Sequence, residues 1–312
     1  MKLVQITQIS NDENLIHNCD LLVCGCGYEE RCLSFVSRNL DGIHNISSKV
    51  VLSYKSPQIP ELDEHRQFFS KFGFKEYQID KPQEVTQALK DIFKGLTKAK
   101  KVKIVIDYSS MDRQWYSRIL LFFDKYRDSS MLNVVCYFTY SVPVIQNESF
   151  DRIFSVTGVE ALQGFSSISI PDKPTALIVG LGNDIKALAA LKYFADIDYI
   201  HYFYTDNTYV QSLDEKYKSL FFRCPPEMIH KYSLKNMVTV FNTLCDIYKS
   251  IKDNYRLVLI SCGPKPFTLM SLLFAQIYGV DVWYMKSNLG NHYVEKKSLG
   301  ENITYAIDYL GI

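Results

Sequence analysis

Residues 21–36 read LLVCGCGYEERCLSFV, and residues 176–191 read ALIVGLGNDIKALAAL. In both, a short apolar run ends in Gly-x-Gly, and polar residues then give way to apolar residues at helical spacing. An unbroken apolar run bounded by turn residues marks a strand buried on both faces, and the change of period marks a strand-to-helix junction. Placing Gly25 on Gly180 and Gly27 on Gly182 brings a second pair of junctions into near register. IVIDYSSMDR (104–113) falls on VLISCGPKPF (258–267), with Asp107 on Ser261, Ser109 on Gly263 and Met111 on Lys265. Self-similarity at one separation is the signature of an internal duplication.

The intervening segments agree. KVVLSYK (49–55) matches YIHYFYTD (199–206), EVTQALKDIFKGL (84–96) matches MVTVFNTLCDIYKSI (237–251), and LNVVCYFTY (132–140) matches VDVWYMK (280–286). Strands alternating with helices call for a parallel sheet covered on both faces. The expected fold class is α/β: two tandem Rossmann-like units with mostly parallel sheets, related by internal duplication. The expected division is an N-terminal unit over 1–150 and a C-terminal unit over 151–312, with SSISIPDKPT gathering Ser, Pro and Asp near the boundary.

Composition narrows the function. With 47% hydrophobic and 22% charged residues in 312, the chain has material for one large core or two smaller ones. Lys plus Arg number 35 against 34 for Asp plus Glu, so a net charge of +1 gives no global attraction for nucleic acid or anionic membrane. No apolar run is long enough to span a bilayer, and the opening MKLVQITQISNDENL lacks the basic-then-apolar build of a signal peptide, so a cytoplasmic protein is expected. The eight cysteines include no C-x-x-C pair and read as thiols; a zinc cluster of Cys19, Cys24, Cys26 and Cys32 is the alternative. No metal is expected, and the sequence names no cofactor.

In a parallel α/β sheet, ligands bind beyond the carboxyl ends of the strands where strand order reverses. Strands one and four of each half should flank that point, so GCGYEER would face DYSSMDR and GLGND would face SCGPKP. The candidate ligand-binding residues are Gly25, Gly27, Tyr28, Glu30, Arg31, Asp107, Ser109, Ser110, Asp112 and Arg113 in the first half, and Gly180, Gly182, Asp184, Asp206, Gly263 and Lys265 in the second. Small residues let a ligand approach the backbone, and the amides that open a helix attract anions. Arg31 and Arg113 suit bidentate phosphate recognition; the alternative is ion pairing with Glu29, Glu30, Asp107 or Asp112. Ser109 and Ser110 serve either helix capping, which needs only one of them, or hydrogen bonds to phosphate and ribose. Lys265 either binds an anion or sits exposed at a Pro-bounded helix start.

Several chemistries lack their motifs. The sixth position of each Gly-x-Gly run is Glu30 or Ile185, so neither completes the dinucleotide fingerprint G-x-G-x-x-G. The first half has no acid after its second strand, which ends Tyr54-Lys55, whereas Asp206 supplies one in the second and leaves a methyltransferase-like or nicotinamide-like pocket open there. The chain has no G-x-S-x-G elbow and no P-loop. An enzyme reading uses Glu30 or Asp107 as acid or base, with Arg31 and Arg113 stabilising charge. A nuclease reading uses Asp281, Glu295 and Lys297.

At these turns the chain resembles the CRISPR-associated Rossmann-fold (CARF) sensors and the related SAVED domains, over residues 20–290. What matches is a duplicated α/β unit, a small-residue turn after strand one and a Ser-rich, basic turn after strand four. Where that family usually carries a Gly-Gly-Thr-Lys-like motif, this chain has SSMDR and GPKP. The resemblance implies a binding module for a phosphorylated nucleotide, a signalling nucleotide in bacterial antiviral defence, acting through a protein partner or homo-oligomer. The alternative is an enzyme acting on a nucleotide or nucleic-acid-related substrate in the first half. The ligand class expected is a nucleotide or other phosphorylated small molecule, with neither membrane nor direct nucleic-acid binding.

Overall fold

A computed structural model describes residues 1–10, 15–55, 60–96, 101–125, 133–144, 154–166, 172–182, 197–206, 213–289 and 296–311. In chain order the elements are β1 (Lys2–Ile9), β2 (Leu21–Cys26), α1 (Ser34–Arg38), α2 (Leu40–Ile43), β3 (Ser48–Tyr54), α3 (Pro60–Lys71), β4 (Lys75–Ile79), α4 (Pro82–Gly95), β5 (Lys101–Asp107), α5 (Arg113–Lys125) and β6 (Asn133–Pro143). They continue with β7 (Phe154–Ala161), β8 (Thr175–Gly180), β9 (Ile197–Thr205), α6 (Leu213–Lys216), α7 (Lys218–Phe221), β10 (Ile229–Tyr232), α8 (Met237–Ile251), β11 (Arg256–Ser261), α9 (Lys265–Tyr278), β12 (Asp281–Leu289) and β13 (Ser298–Leu310). The α/β class with two mostly parallel sheets is what the sequence predicted.

The first sheet has seven strands in the order β1-β13-β6-β5-β2-β3-β4, and the second has six in the order β10-β9-β8-β11-β12-β7. Within each, five strands run parallel with the chain reversing direction at one interior pair, β2 with β5 and β8 with β11. Every residue of β2 and of β8 is buried, as their unbroken apolar sequences require. In the first unit Leu22, Cys24 and Cys26 share one core with Phe35, Ile43, Leu62 and Phe69, while Phe93 of α4 packs on Phe122 and Phe123 of α5. In the second, Leu177, Val179, Val258 and Ile260 share a core with Tyr202, Tyr204 and Tyr217. Among the described residues no helix is long and apolar enough to cross a membrane.

The division of the chain differs from the one expected at residue 150. The first unit comprises Met1–Val144 and Val294–Ile312, and the second Ile145–Tyr293. The strand that follows the fifth parallel strand of each half joins the other unit's sheet: β7 lies antiparallel on β12, and β13 lies antiparallel on β6, with β1 outside it. The duplication is thus closed by a reciprocal exchange of strands. A local pattern can reveal that 298–310 form a strand, but not that the partner stands more than 150 residues earlier.

Candidate functional site

Strand order reverses where the sequence placed it. Cys24 of β2 lies beside Asp107 of β5, and Gly180 of β8 lies beside Ser261 of β11. The registers differ by one residue from the alignment that set Gly25 on Gly180 and Asp107 on Ser261. The strand-end turns are therefore neighbours in each unit, yet their small residues serve close packing. A methyl group on Gly25 would stand 2.6 Å from the Met111 side chain, and one on Gly27 would stand 3.1 Å from Ser110 Cβ. In the second unit, one on Gly180 would stand 2.3 Å from the Phe267 ring, one on Gly182 2.4 Å from the Cys262 carbonyl, and one on Gly263 3.3 Å from the Leu181 carbonyl. Protein atoms fill the space that a ligand touching these glycines would need.

The polar end of β5 is mostly an internal network. Asp107, 1% exposed, accepts the Ser109 amide at 3.0 Å and the Ser109 hydroxyl through Oδ1. The same hydroxyl accepts the Ser141 amide of β6 at 2.8 Å. Ser110 Oγ is buried with no hydrogen-bond partner, and the Ser110 carbonyl lies 3.4 Å from the Tyr54 hydroxyl. Neither serine caps α5. Asp112 does so, accepting the Gln114 amide at 2.7 Å, and leaves Arg113 half-buried in the first turn. Tyr54 packs against Trp115 with ring centroids 4.3 Å apart and the rings tilted by 31°. Removal from water, and then the Asp112 carboxylate, raise the pKa of the Tyr54 hydroxyl.

The turn after β2 holds its arginine inside. Arg31, 2% exposed, pairs with Glu29 Oε2 at 2.5 Å, donates to the Ser141 carbonyl at 3.3 Å and lies over the Tyr140 ring at 5.3 Å. Burial opposes its charge, but Tyr140 and Glu29 more than offset this and raise its pKa. The other Glu29 oxygen takes Lys296 at 2.9 Å, while exposed Glu30 pairs loosely with Lys297 at 3.6 Å. Tyr28, between Gly27 and Glu29, is half-buried. Of the two arginines expected to meet phosphate, Arg31 is enclosed in an ion pair and Arg113 stands nearer the surface.

Below this turn lie Cys32 and His65. His65 Nδ1 donates to the Gly27 carbonyl at 2.7 Å, and Cys32 Sγ lies 3.4 Å from the same nitrogen. Burial raises the pKa of Cys24 and Cys32, which keeps them thiols. All eight cysteines are free, and among the described residues no three His, Cys, Asp or Glu side chains are placed to hold one ion. Of the residues of the nuclease reading, Asp281 pairs with Arg256, Lys297 pairs with Glu30, and Glu295 lies outside the described residues.

In the second unit, buried Ser261 shares a hydrogen bond of 2.6 Å with Thr268, and Lys265 is half-buried at the start of α9. Tyr217 donates to the Gly182 carbonyl at 2.9 Å. Asp206 follows β9, its amide bound to the Tyr232 carbonyl at 2.7 Å; its Oδ1 and the neighbouring Thr205 hydroxyl are enclosed without hydrogen-bond partners. Asp184 lies outside the described residues. One open cleft of about 380 Å³ lies between β4 and α4, beside Tyr77 and Asp91, and another of about 210 Å³ lies where β11 and β12 begin. Neither touches the strand-end turns, so topology and these clefts point to different places. The candidate site is the pair of strand-end turns in the first unit, where strand order reverses.

Sequence reasoning did not pick out Ser141, Tyr54, His65 or Lys296. Tyr54 ends β3 and Ser141 lies two residues before the end of β6, and small or polar residues near strand ends are a usable signal. Lys296 reaches the turn only through the strand exchange, which no local pattern announces.

No family model and no curated protein matches the chain. Among solved structures, a "Putative Universal Stress Protein" from Pseudomonas aeruginosa UCBPP-PA14 is similar at 9% identity and a TM-score of 0.23, over 88% of this chain and 95% of that one. A functionally unknown protein from Pseudomonas aeruginosa PAO1 is similar at 9% identity and a TM-score of 0.22, over 88% of this chain and 94% of that one. Scores this low leave the fold to rest on the strand order above.

Proposed function

We propose that the chain is a binding module for a phosphorylated nucleotide, a signalling nucleotide of bacterial defence, and acts through a partner protein. The observation that carries this reading is the reversal of strand order at β2 and β5, which brings the charged turn 28–31 beside the polar turn 107–113. Binding is favoured over turnover because the acid expected to do chemistry, Asp107, is buried and holds Ser109, while exposed Glu30 is paired with Lys297. A general acid or base needs access to the proton it moves. Arg113 and the lysines beside Glu29 and Glu30 supply cations for phosphate.

The test is incubation with cyclic and linear nucleotides, followed by melting curves and chromatography of the ligand. A nucleotide at 100 times its dissociation constant adds about 2.7 kcal/mol to folded-state stability. The expected result is a raised melting temperature with the nucleotide recovered intact, weakened by Arg113→Ala. Turnover abolished by Glu30→Gln would establish the enzyme reading instead.

A further inference from the structure

The chain leaves the first unit after Val144 and returns to it at Val294. The first described residues on its return, Lys296 and Lys297, land on the turn after β2. The Lys296 carbonyl accepts the Arg31 amide at 3.2 Å, and the Lys297 carbonyl accepts the Val144 amide at 2.8 Å. The point of return is thus bonded both to the strand-end turn and to the point of departure.

Two carboxylates there meet three cations. Glu29 has Arg31 at 2.5 Å and Lys296 at 2.9 Å, and Glu30 has Lys297 at 3.6 Å. Arg31 is enclosed, whereas the Lys297 side chain is 62% exposed and that of Lys296 34%. The long, exposed Lys297–Glu30 pair contributes little, so an arriving anion recruits Lys297 with small loss, while Lys296, whose ammonium has three donors, meets the anion and keeps Glu29. Recruiting Arg31 would strip a buried carboxylate of its partner, which is strongly destabilising.

We infer that residues 296–297 form a cationic strap over the strand-end turn of the first unit, and that Lys296 and Lys297, not Arg31, meet the phosphates of a bound nucleotide. The inference rests on the nucleotide-binding reading and names its contacts. As the ammonium groups turn to the ligand, the two backbone hydrogen bonds of the strap carry the change to Val144, where the chain departs for the second unit.

The test uses pyrophosphate and ATP as probes on the full chain, with calorimetry for affinity and hydrogen exchange for the Arg31 and Val144 amides. Pyrophosphate is expected to bind the wild type and to lose about tenfold or more in affinity in Lys296→Ala/Lys297→Ala, two charge-assisted contacts being removed. Its addition is expected to change exchange at both amides in the wild type only, and Lys296→Arg/Lys297→Arg is expected to keep binding. Lys297→Ala alone, at an exposed position, gives the same direction of change should the double variant unfold. Equal affinity of folded variant and wild type overturns the strap, as does failure of the wild type to bind pyrophosphate. If ATP still raises the melting temperature in that last case, nucleotide binding stands and the strap alone falls; if neither probe binds, both fall.

Discussion

Ser109 and Ser110 are adjacent, both buried, and opposite in what their hydroxyls do: the first joins Asp107 to the Ser141 amide, and the second has no hydrogen-bond partner. Ser109→Ala would leave two buried groups short of a bond and is expected to lower stability by about 1 to 3 kcal/mol, whereas Ser110→Ala removes an unsatisfied hydroxyl and is expected to be neutral or stabilising. Urea unfolding of the two variants measures the contrast. A comparable loss in both would mean that Ser110 is satisfied in solution.

Glu29 is the shared carboxylate of a buried pair, so Glu29→Ala leaves the Arg31 guanidinium enclosed with its main counter-charge gone. The expected loss is about 3 to 5 kcal/mol, with Glu29→Leu/Arg31→Met recovering most of it, because an apolar pair avoids the desolvation of both charges. Equilibrium denaturation checks this. A single-variant loss under about 1 kcal/mol would place the pair in solvent.

His201 Nδ1 lies 2.8 Å from His230 Nε2 on the neighbouring strand, and His230 stacks on Phe203. Burial, and then His230, lower the His201 pKa from 6.5 to about 4, and burial lowers that of His230. With folded values below unfolded ones, the unfolded chain binds more protons between them. The contribution to stability is present above about pH 6.5 and is lost as pH falls toward 4, by at most about 1.4 kcal/mol per unit for each group. His201→Phe should flatten this slope in urea titrations between pH 7 and pH 4.5. An unchanged slope would assign acid sensitivity to other groups.

Because β13 supplies the outer partner of β6, a chain ending at residue 293 should lose amide protection in β5 and β6 while β8 and β11 keep theirs. An unpaired, apolar strand edge also invites association, so light scattering should rise with truncation. Hydrogen exchange followed by peptide mapping distinguishes the outcomes, and equal protection in the intact and truncated chains would mean that β13 is dispensable.

The parallel sheets and their reversal points were legible because they are written locally: LLVC, IVI (104–106), ALIV and LVLI are uniformly apolar, and each is followed by a turn and then by apolar residues at helical spacing. The glycines were legible as turns, but not as seats for Met111, Ser110 and Phe267, since sequence does not say which neighbour fills the space above a missing side chain. Arg31 and Arg113 stand five and six residues past their strand ends, a difference that does not tell an enclosed arginine from an open one. Tyr140 and the Ser141 carbonyl, near the end of another strand, join Glu29 in holding Arg31 inside. The strand exchange lay beyond any local pattern, and with it the arrival of Lys296 at the turn.

The same exchange sets an order for synthesis. When β6 leaves the ribosome, the strand that covers its outer edge has not been made, and translation must continue through the whole second unit before 298–310 emerge. At ribosomal speeds that interval lasts roughly 10 to 30 s. The second unit has all its strands by residue 289, so it can close first, although it is encoded later. The nascent first unit meanwhile carries five of its seven strands, with β13 and the β1 that lies beyond it still unplaced. Holding that edge during translation is the task a chaperone would face.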